Sequence, residues 1–179
     1  IAFLPTGTGK TLIACSLISH CVRNIRVDRE KGTDWKKVAI FVAPTKALLN
    51  QQVDYIQKQC AERVRATVLN GDKVYEGLQI DFWGPSQWQY FFGHYEVLGM
   101  TPEVLCKLLE KAILPGDAID LLVLDECHHV LSGKHPMARL CESIKEKGYR
   151  PLMLGLTASP LTTKKNKILE AYASLQDRM

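Results

Sequence analysis

The sequence has little that would hold it in a membrane or give it a strong charge. No part of its 179 residues is an uninterrupted apolar run of the ~18 residues that a transmembrane helix requires. The 23 basic and 19 acidic side chains leave a formal charge of only +4, which permits a polyanionic partner without requiring one. We therefore expect a soluble protein without a membrane partner.

The cysteines lack the spacing of a metal or redox site. The sequence has six of them, but none form a C-x-x-C pair. Most lie in apolar stretches, which favours reduced thiols in an intracellular protein, and we expect a cytoplasmic location rather than a nuclear one. The alternative is a zinc site that combines Cys127, His128, His129 and Cys141, although this spacing fits no common zinc pattern.

The sequence also lacks an initiator methionine. Ile1 stands inside an apolar stretch that itself predicts a strand, so we expect the chain to be truncated at its N-terminus. Its length and its hydrophobic content of 46% suit one well-covered core. Residues 1–179 are therefore predicted to form a single domain.

The segment 4–11 carries the clearest chemical signal. It predicts a Gly-rich turn between a short apolar strand and a helix that begins with Lys10 and Thr11. Such a turn binds phosphate, because its backbone N–H groups and the helix N-terminus converge on anionic oxygens. Lys10 can reach the β- and γ-phosphates, and the Thr11 hydroxyl can ligate Mg²⁺. The predicted nucleotide-binding residues are Leu4, Pro5, Thr6, Gly7, Thr8, Gly9, Lys10 and Thr11.

One position departs from the usual G-x-x-x-x-G-K-[ST] pattern of such loops. Leu4 stands where the pattern has glycine, and Pro5 could set the entry of the loop by fixing φ instead. The alternative is an ordinary Gly-rich turn that is followed by a surface lysine. The two glycines, the Lys-Thr pair and the flanking strand and helix together favour a nucleoside triphosphate site.

Apolar runs alternate with helical periodicity along the chain. This alternation predicts an α/β fold, a parallel sheet of about six or more strands with helices on both faces. The polar segment 26–37, which has charges of both signs, predicts a solvated loop. The predicted strands are 1–3, 38–42, 65–69, 95–100, 119–124 and 151–156. The predicted helices include 10–23, 164–177 and one after Lys46 whose apolar positions are Leu49, Val53, Ile56 and Cys60.

An acidic pair follows the most hydrophobic predicted strand, 119–124. Asp125 is placed to hold Mg²⁺, directly or through water, opposite Thr11. Glu126 is the candidate that orients and deprotonates the attacking water, and Lys10 completes the predicted catalytic set. The alternative is a structural pair of acids whose carboxylates are hydrogen-bonded at the end of a strand. The apolar strand before them favours the catalytic interpretation.

Five motifs occur in the order known from superfamily-two DExD/H helicases: LPTGTGKT, APTKALLNQQ, MTPEVL, DECH and GLTASP. The chain therefore resembles the first RecA-like lobe of these helicases over nearly its whole length. The DECH and GLTASP forms and the segment DFWGPSQWQYFFGHYEVLGMTPEVL are similar to the helicase domain of Dicer and of the double-stranded-RNA sensor helicases. The residues Thr45-Lys46-Ala47 and Leu124 differ from those that Dicer motifs usually have at these positions.

The resemblance implies ATP and Mg²⁺ as cofactors and double-stranded RNA as the partner. It implies that His128 links the nucleotide to Thr157 and Ser159, so that the loss of the γ-phosphate changes the contacts at the face of the domain. The chain ends soon after Ser159, so we expect it to lack the second RecA-like lobe with its arginine finger and to hydrolyse ATP slowly by itself. The implied contacts to the phosphate backbone of one strand are Pro44, Thr45, Lys46, Thr101 and Pro102.

Two other functions fit the same motifs. One is the lobe of a DNA repair helicase or translocase. The other is a nucleotide-gated RNA-binding module that does not unwind its ligand. The aromatic residues of the segment 82–88 are expected in the core, with base stacking as the alternative.

Overall fold

The computed structural model describes residues 1–3, 5, 7–32, 37–61, 63–69, 83–158 and 177. Within these ranges six strands form one sheet: β1 (Ala2–Phe3), β2 (Val38–Val42), β3 (Ala66–Val68), β4 (Val97–Met100), β5 (Ile119–Asp125) and β6 (Leu152–Thr157). The α-helices are α1 (Lys10–Glu30), α2 (Lys46–Gln59), α3 (Pro85–His94), α4 (Pro102–Glu110) and α5 (Pro136–Glu146). Short 3₁₀ helices cover Gly116–Ala118 and Cys127–Leu131.

The sheet has the strand order β1-β6-β5-β2-β4-β3, and every neighbouring pair is parallel. The predicted α/β class, the parallel pairing and the six strands are confirmed. All carboxyl ends of the strands lie along one edge, which is where ligands of such sheets bind. The remaining prediction, a helix at 164–177, lies outside the described residues except for Asp177.

The helices cover both faces of the sheet, as predicted. Side chains of each central strand alternate between two cores, because successive residues of a strand point to opposite faces. Phe41 and Val123 pack with α1 and α2 on one face, while Ile40 and Leu122 pack with α3, α4 and α5 on the other. All five residues of β2 are buried, as expected of a parallel strand that is covered twice.

The prediction of a solvated loop at 26–37 is wrong over its first part. Helix α1 continues to Glu30, and Arg26 donates to both carboxylate oxygens of the buried Glu96, at 2.8 and 3.1 Å. The Arg65 backbone N–H donates to the same carboxylate at 2.9 Å, and the Arg65 guanidinium donates at 3.1 Å. Arg26 of α1 therefore belongs to an ion-pair network around the buried carboxylate of Glu96, which precedes β4.

Arg29 explains why the helix extends past its predicted end. Its guanidinium donates to the backbone carbonyls of Lys37, Phe92 and Tyr95 at 3.0, 2.8 and 2.7 Å. Buried carbonyl oxygens require such partners, and a guanidinium can serve several of them at once. Burial lowers the pKa of Arg29. Partners this distant along the chain cannot be read from local composition.

Of the aromatic residues predicted in the core, Trp88 lies in it and the partly buried Trp83 packs against it, while Phe82 lies outside the described residues. Trp88 is buried, its ring lies 5.5 Å from that of Phe92 in a stacked arrangement, and Trp83 packs against it at 4.9 Å. This supports the core interpretation over a base-stacking platform. None of the helices in the described ranges is long and apolar enough to cross a membrane.

Candidate functional site

The loop between β1 and α1 has the backbone of a phosphate cradle. Gly7 and Gly9 adopt left-handed conformations, with φ of 80° and 95°, and Gly9 is the N-cap of α1. A residue with a Cβ would pay about 1–2 kcal/mol for such a conformation. The Thr8 N–H and hydroxyl both donate to the Pro5 carbonyl, at 3.3 and 2.6 Å, and close the turn. Leu4 and Thr6 of the predicted loop lie outside the described residues.

Gly7 leaves the backbone of this loop open to a ligand. It is exposed, and a Cβ built on it would meet no atom within 4 Å. The N-terminus of α1 begins at the same place, and its helix dipole adds positive potential there. The loop can therefore receive an anionic group directly on its backbone.

Lys10 and Thr11 form the first turn of α1, as predicted. The Lys10 ammonium donates to the Pro5 carbonyl at 3.3 Å and so lies across the loop. The Thr11 hydroxyl donates to Gln52 Oε1 of α2 at 2.8 Å. Gln52 was not among the predicted site residues, although it lies within the APTKALLNQQ motif.

The acidic pair stands at the end of β5. Asp125 is 7% exposed, and its Oδ1 accepts a hydrogen bond of 3.0 Å from the Glu126 N–H. Glu126 has φ of 52°, a left-handed conformation that is uncommon for a residue with a side chain and is often found at functional sites.

Burial raises the pKa of Asp125, and the charge of Glu126 adds to this effect. The hydrogen bond from the Glu126 N–H and the positive charge of Lys10 act in the opposite direction without cancelling it. Asp125 is thus a buried acid whose negative charge is only partly compensated.

The strand order brings the two halves of the site together. Strand β6 lies between β1 and β5, with Phe3 beside Thr157 and Leu156 beside Asp125. Two strand spacings separate β1 from β5, a distance of ~10 Å. The glycine-rich loop and the acidic pair therefore face each other at the carboxyl edge of the sheet.

His128 connects the acidic pair to β6. Its Nδ1 lies 2.9 Å from Thr157 Oγ1 and 3.2 Å from Glu126 Oε2. Thr157 is fully buried. The predicted pairing of His128 with Thr157 is present as a contact, while Ser159 lies outside the described residues.

Two further histidines lie beside His128 and were not predicted as part of the site. The ring of His129 lies 4.3 Å from that of His128, and it stacks on the ring of His135 at 4.3 Å with 9° between the planes. Burial lowers the pKa of both His129 and His135. Within the described ranges no group of three or more His, Cys, Asp or Glu residues could hold a metal ion, so the structure does not support the alternative zinc site.

The residues implied in nucleic-acid contact lie farther along the same edge. Pro44, Thr45 and Lys46 follow β2, where the Thr45 hydroxyl caps α2 by accepting from the Leu48 N–H at 3.4 Å. Thr101 and Pro102 follow β4, the neighbour of β2.

Two helix N-termini, those of α2 and α4, thus lie side by side. Thr45 and Lys46 are exposed, Thr101 is half-buried and Pro102 is buried. An N-terminus with a nearby Thr hydroxyl or Lys ammonium suits a phosphate oxygen.

Comparison with known proteins assigns the chain to a family. A family model described as type III restriction enzyme, res subunit, matches residues 1–162. The chain belongs to this family. The match covers the glycine-rich loop, the acidic pair and the sheet between them, so the resemblance to the first RecA-like lobe of superfamily-two helicases is confirmed.

Several relatives of this res-subunit family chain are Dicer proteins. The chain is 34% identical over 165 residues to endoribonuclease Dicer homolog 3b of Oryza sativa subsp. japonica, and the match covers 92% of this chain and 9% of the relative. It is 36% identical over 167 residues to endoribonuclease Dicer homolog 1 of Arabidopsis thaliana, covering 92% and 8%. Dicer-like protein 1 of Cryphonectria parasitica is 36% identical over 166 residues, covering 90% and 10%. The chain spans about a tenth of the length of these relatives.

A solved structure shows the same fold. The helicase domain of Hef from Pyrococcus furiosus is 25% identical and has a TM-score of 0.63, with 97% of this chain and 32% of that chain covered. The chain therefore shares the fold of this helicase domain.

The residues present fit a nucleoside triphosphate with Mg²⁺. The loop of Gly7 and Gly9 offers backbone N–H groups to phosphate oxygens. Thr11 and Asp125 supply a hydroxyl and a carboxylate, the hard oxygen ligands that Mg²⁺ prefers. The partly compensated charge of Asp125 is one that a divalent cation would neutralise.

Proposed function

We propose that this chain is the ATP-binding lobe of an ATP-dependent helicase or translocase within a Dicer-like protein that acts on double-stranded RNA. With Mg²⁺ and a second RecA-like lobe, it would hydrolyse ATP to ADP and phosphate. The observation that carries the proposal is the placement of Asp125 and Glu126 opposite the loop that ends in Lys10. Family membership and the Dicer relatives support it.

Each side chain of the site has a defined task in this proposal. Lys10 and the loop backbone bind the phosphates, and Thr11 and Asp125 hold the metal ion. Bound Mg²⁺ supplies electrostatic stabilisation of the charge on the phosphate oxygens. Glu126, which directly follows β5, orients the attacking water and takes its proton.

His128 gives the site a route to the rest of the lobe. Because its Nδ1 reaches both Glu126 and Thr157, a change at the proposed base alters a contact at the end of β6. The N-termini of α2 and α4 would hold the phosphate backbone of the RNA without reading its sequence.

A Glu126→Gln variant of the parent protein tests the proposed motor. It should retain ATP affinity and lose turnover by about 10²–10⁴-fold, the usual contribution of a general base. Lys10→Ala should weaken nucleotide binding first. Equal loss of affinity and turnover in Glu126→Gln would contradict the role of the base.

Stimulation of the ATPase identifies the nucleic acid. We expect double-stranded RNA to raise the rate of the parent protein more than double-stranded DNA of the same sequence does. Greater stimulation by DNA would favour a DNA repair helicase. If Glu126→Gln keeps RNA clamped and the wild type neither translocates nor unwinds, the lobe belongs to a nucleotide-gated binding module.

A further inference from the structure

A hydrogen bond joins the proposed metal ligand to helix α2. The Thr11 hydroxyl in the first turn of α1 donates to Gln52 Oε1 at 2.8 Å, across 41 positions of sequence. Both side chains are half-buried, whereas the neighbouring Gln51 is exposed. The bond therefore crosses between two helices on one face of the sheet.

The hydrogen bond from Thr11 to Gln52 is of the kind that orients a hydroxyl for metal binding. A Thr hydroxyl has one proton and two lone pairs, and only a lone pair can bind a metal ion. An acceptor that engages the proton leaves the lone pairs for the metal and removes the freedom of the O–H to rotate. Such outer partners orient metal ligands, and their loss typically costs about 10–100-fold in metal affinity.

Helix α2 holds the acceptor in place. Leu49, Val53 and Ile56 are buried against the sheet, so α2 cannot rotate or shift without disturbing the core. A functional group that is carried by a packed helix is positioned more accurately than one on a loop.

We propose that Gln52 is a positioning residue that orients the Thr11 hydroxyl for Mg²⁺. This inference rests on the proposed function, because it assumes that Thr11 ligates the metal ion of a bound nucleotide. It adds a residue of α2 to the site formed by the loop and the acidic pair.

The test compares nucleotide affinity with and without metal in the full-length parent protein. A fluorescent, non-hydrolysable ATP analogue is titrated in Mg²⁺ and in EDTA, and the ratio of the two affinities gives the gain due to the metal. Gln52→Met keeps the side-chain length and removes the acceptor, and Gln52→Glu keeps an acceptor. Gln51→Met is the matched control on the exposed side of α2.

Gln52→Met should reduce the gain due to Mg²⁺ by about 10-fold or more, while the affinity in EDTA stays within about twofold of the wild type. Gln52→Glu should retain most of the gain, and Gln51→Met should match the wild type. In a Thr11→Val background, Gln52→Met should cause no further loss, because the partner hydroxyl is already absent.

The inference is overturned if Gln52→Met has the wild-type gain, if it loses affinity equally with and without metal, or if Gln52→Glu loses as much as Gln52→Met. Lys10→Ala separates this failure from that of the proposed function. If the wild type binds the analogue no better than Lys10→Ala does, the nucleotide site itself is wrong. If those two differ and Gln52→Met behaves as the wild type, only the role of Gln52 is wrong.

Discussion

The Nδ1 atom of His128 lies 2.9 Å from Thr157 Oγ1, so a single imidazole connects the end of β5 to the end of β6. The same nitrogen lies 3.2 Å from the carboxylate of Glu126. Since β6 is also the neighbour of β1, the contact stands between the two halves of the proposed ATP site. This placement gives the first prediction.

Thr157→Val removes the hydroxyl that His128 contacts and nearly preserves the shape of the buried side chain. We expect RNA-stimulated ATP hydrolysis to fall about fivefold, the equivalent of one net hydrogen bond of ~1 kcal/mol, with ATP affinity unchanged. Steady-state ATPase assays of the parent protein check this. Thr67→Val on β3, far along the sheet, is the control, and an equal loss there would contradict a specific role for Thr157.

Asp125→Asn should stabilise the metal-free lobe near neutral pH while weakening binding of the metal-loaded nucleotide. Because burial raises the pKa of Asp125 in the folded state, the folded protein binds that proton more tightly than the unfolded chain does. The ionised carboxylate therefore opposes folding at neutral pH, and this penalty disappears as the pH falls through the raised pKa.

Calorimetric unfolding without metal checks the prediction for Asp125→Asn. Its Tm should exceed that of the wild type at pH 7, and the difference should shrink as the pH is lowered. A difference that grows at acid pH would show that the sign is wrong. Asp54→Asn, on the exposed side of α2, should leave the Tm unchanged at both pH values.

Glu96→Gln should destabilise the fold at neutral pH by about 1–3 kcal/mol, a range that allows for the solvent exposure of the arginines. Burial would raise the pKa of Glu96, but hydrogen bonds from Arg26 and Arg65 outweigh burial and lower it. The stability that Glu96 contributes is therefore present above the usual carboxyl pKa and is lost as the pH falls through the lowered value.

Urea unfolding at pH 7 and at acid pH measures this effect. The difference between the wild type and Glu96→Gln should be largest at pH 7 and should diminish below about pH 4, the usual range of a glutamate. Glu110→Gln at the exposed end of α4 is the control. A stability loss in Glu96→Gln that does not change with pH would contradict the ion-pair explanation.

Lys46→Ala should weaken RNA binding by the parent protein and reduce the slope of log affinity against log salt by about one unit or less, as expected for one phosphate contact. The loss should be similar for RNAs of different sequence, because phosphate contacts do not read bases. Lys58→Ala, in the last turn of the same helix, is the matched control. Equal losses from the two variants would place the RNA elsewhere on the lobe.

Much of the fold follows from local patterns. The apolar runs of β2 and β5 predict buried strands because a parallel strand is covered on both faces, and the glycines and Lys10 predict the phosphate loop because its conformation is local. The end of α1 was wrongly predicted because Glu96, the partner of Arg26, and Phe92, a partner of Arg29, lie more than sixty positions away. Gln52 was missed for the same reason, since nothing in its sequence neighbourhood indicates Thr11.

The sequence by itself determined which residues could bind phosphates, ligate a metal ion and activate water, because these properties belong to side-chain chemistry and to short motifs. Only the tertiary structure decided that β6 lies between β1 and β5, which brings Lys10 to Asp125 and His128 to Thr157. The physical reason is that the pairing of distant strands depends on how two shared cores are filled, a property of the whole sheet that no single segment contains.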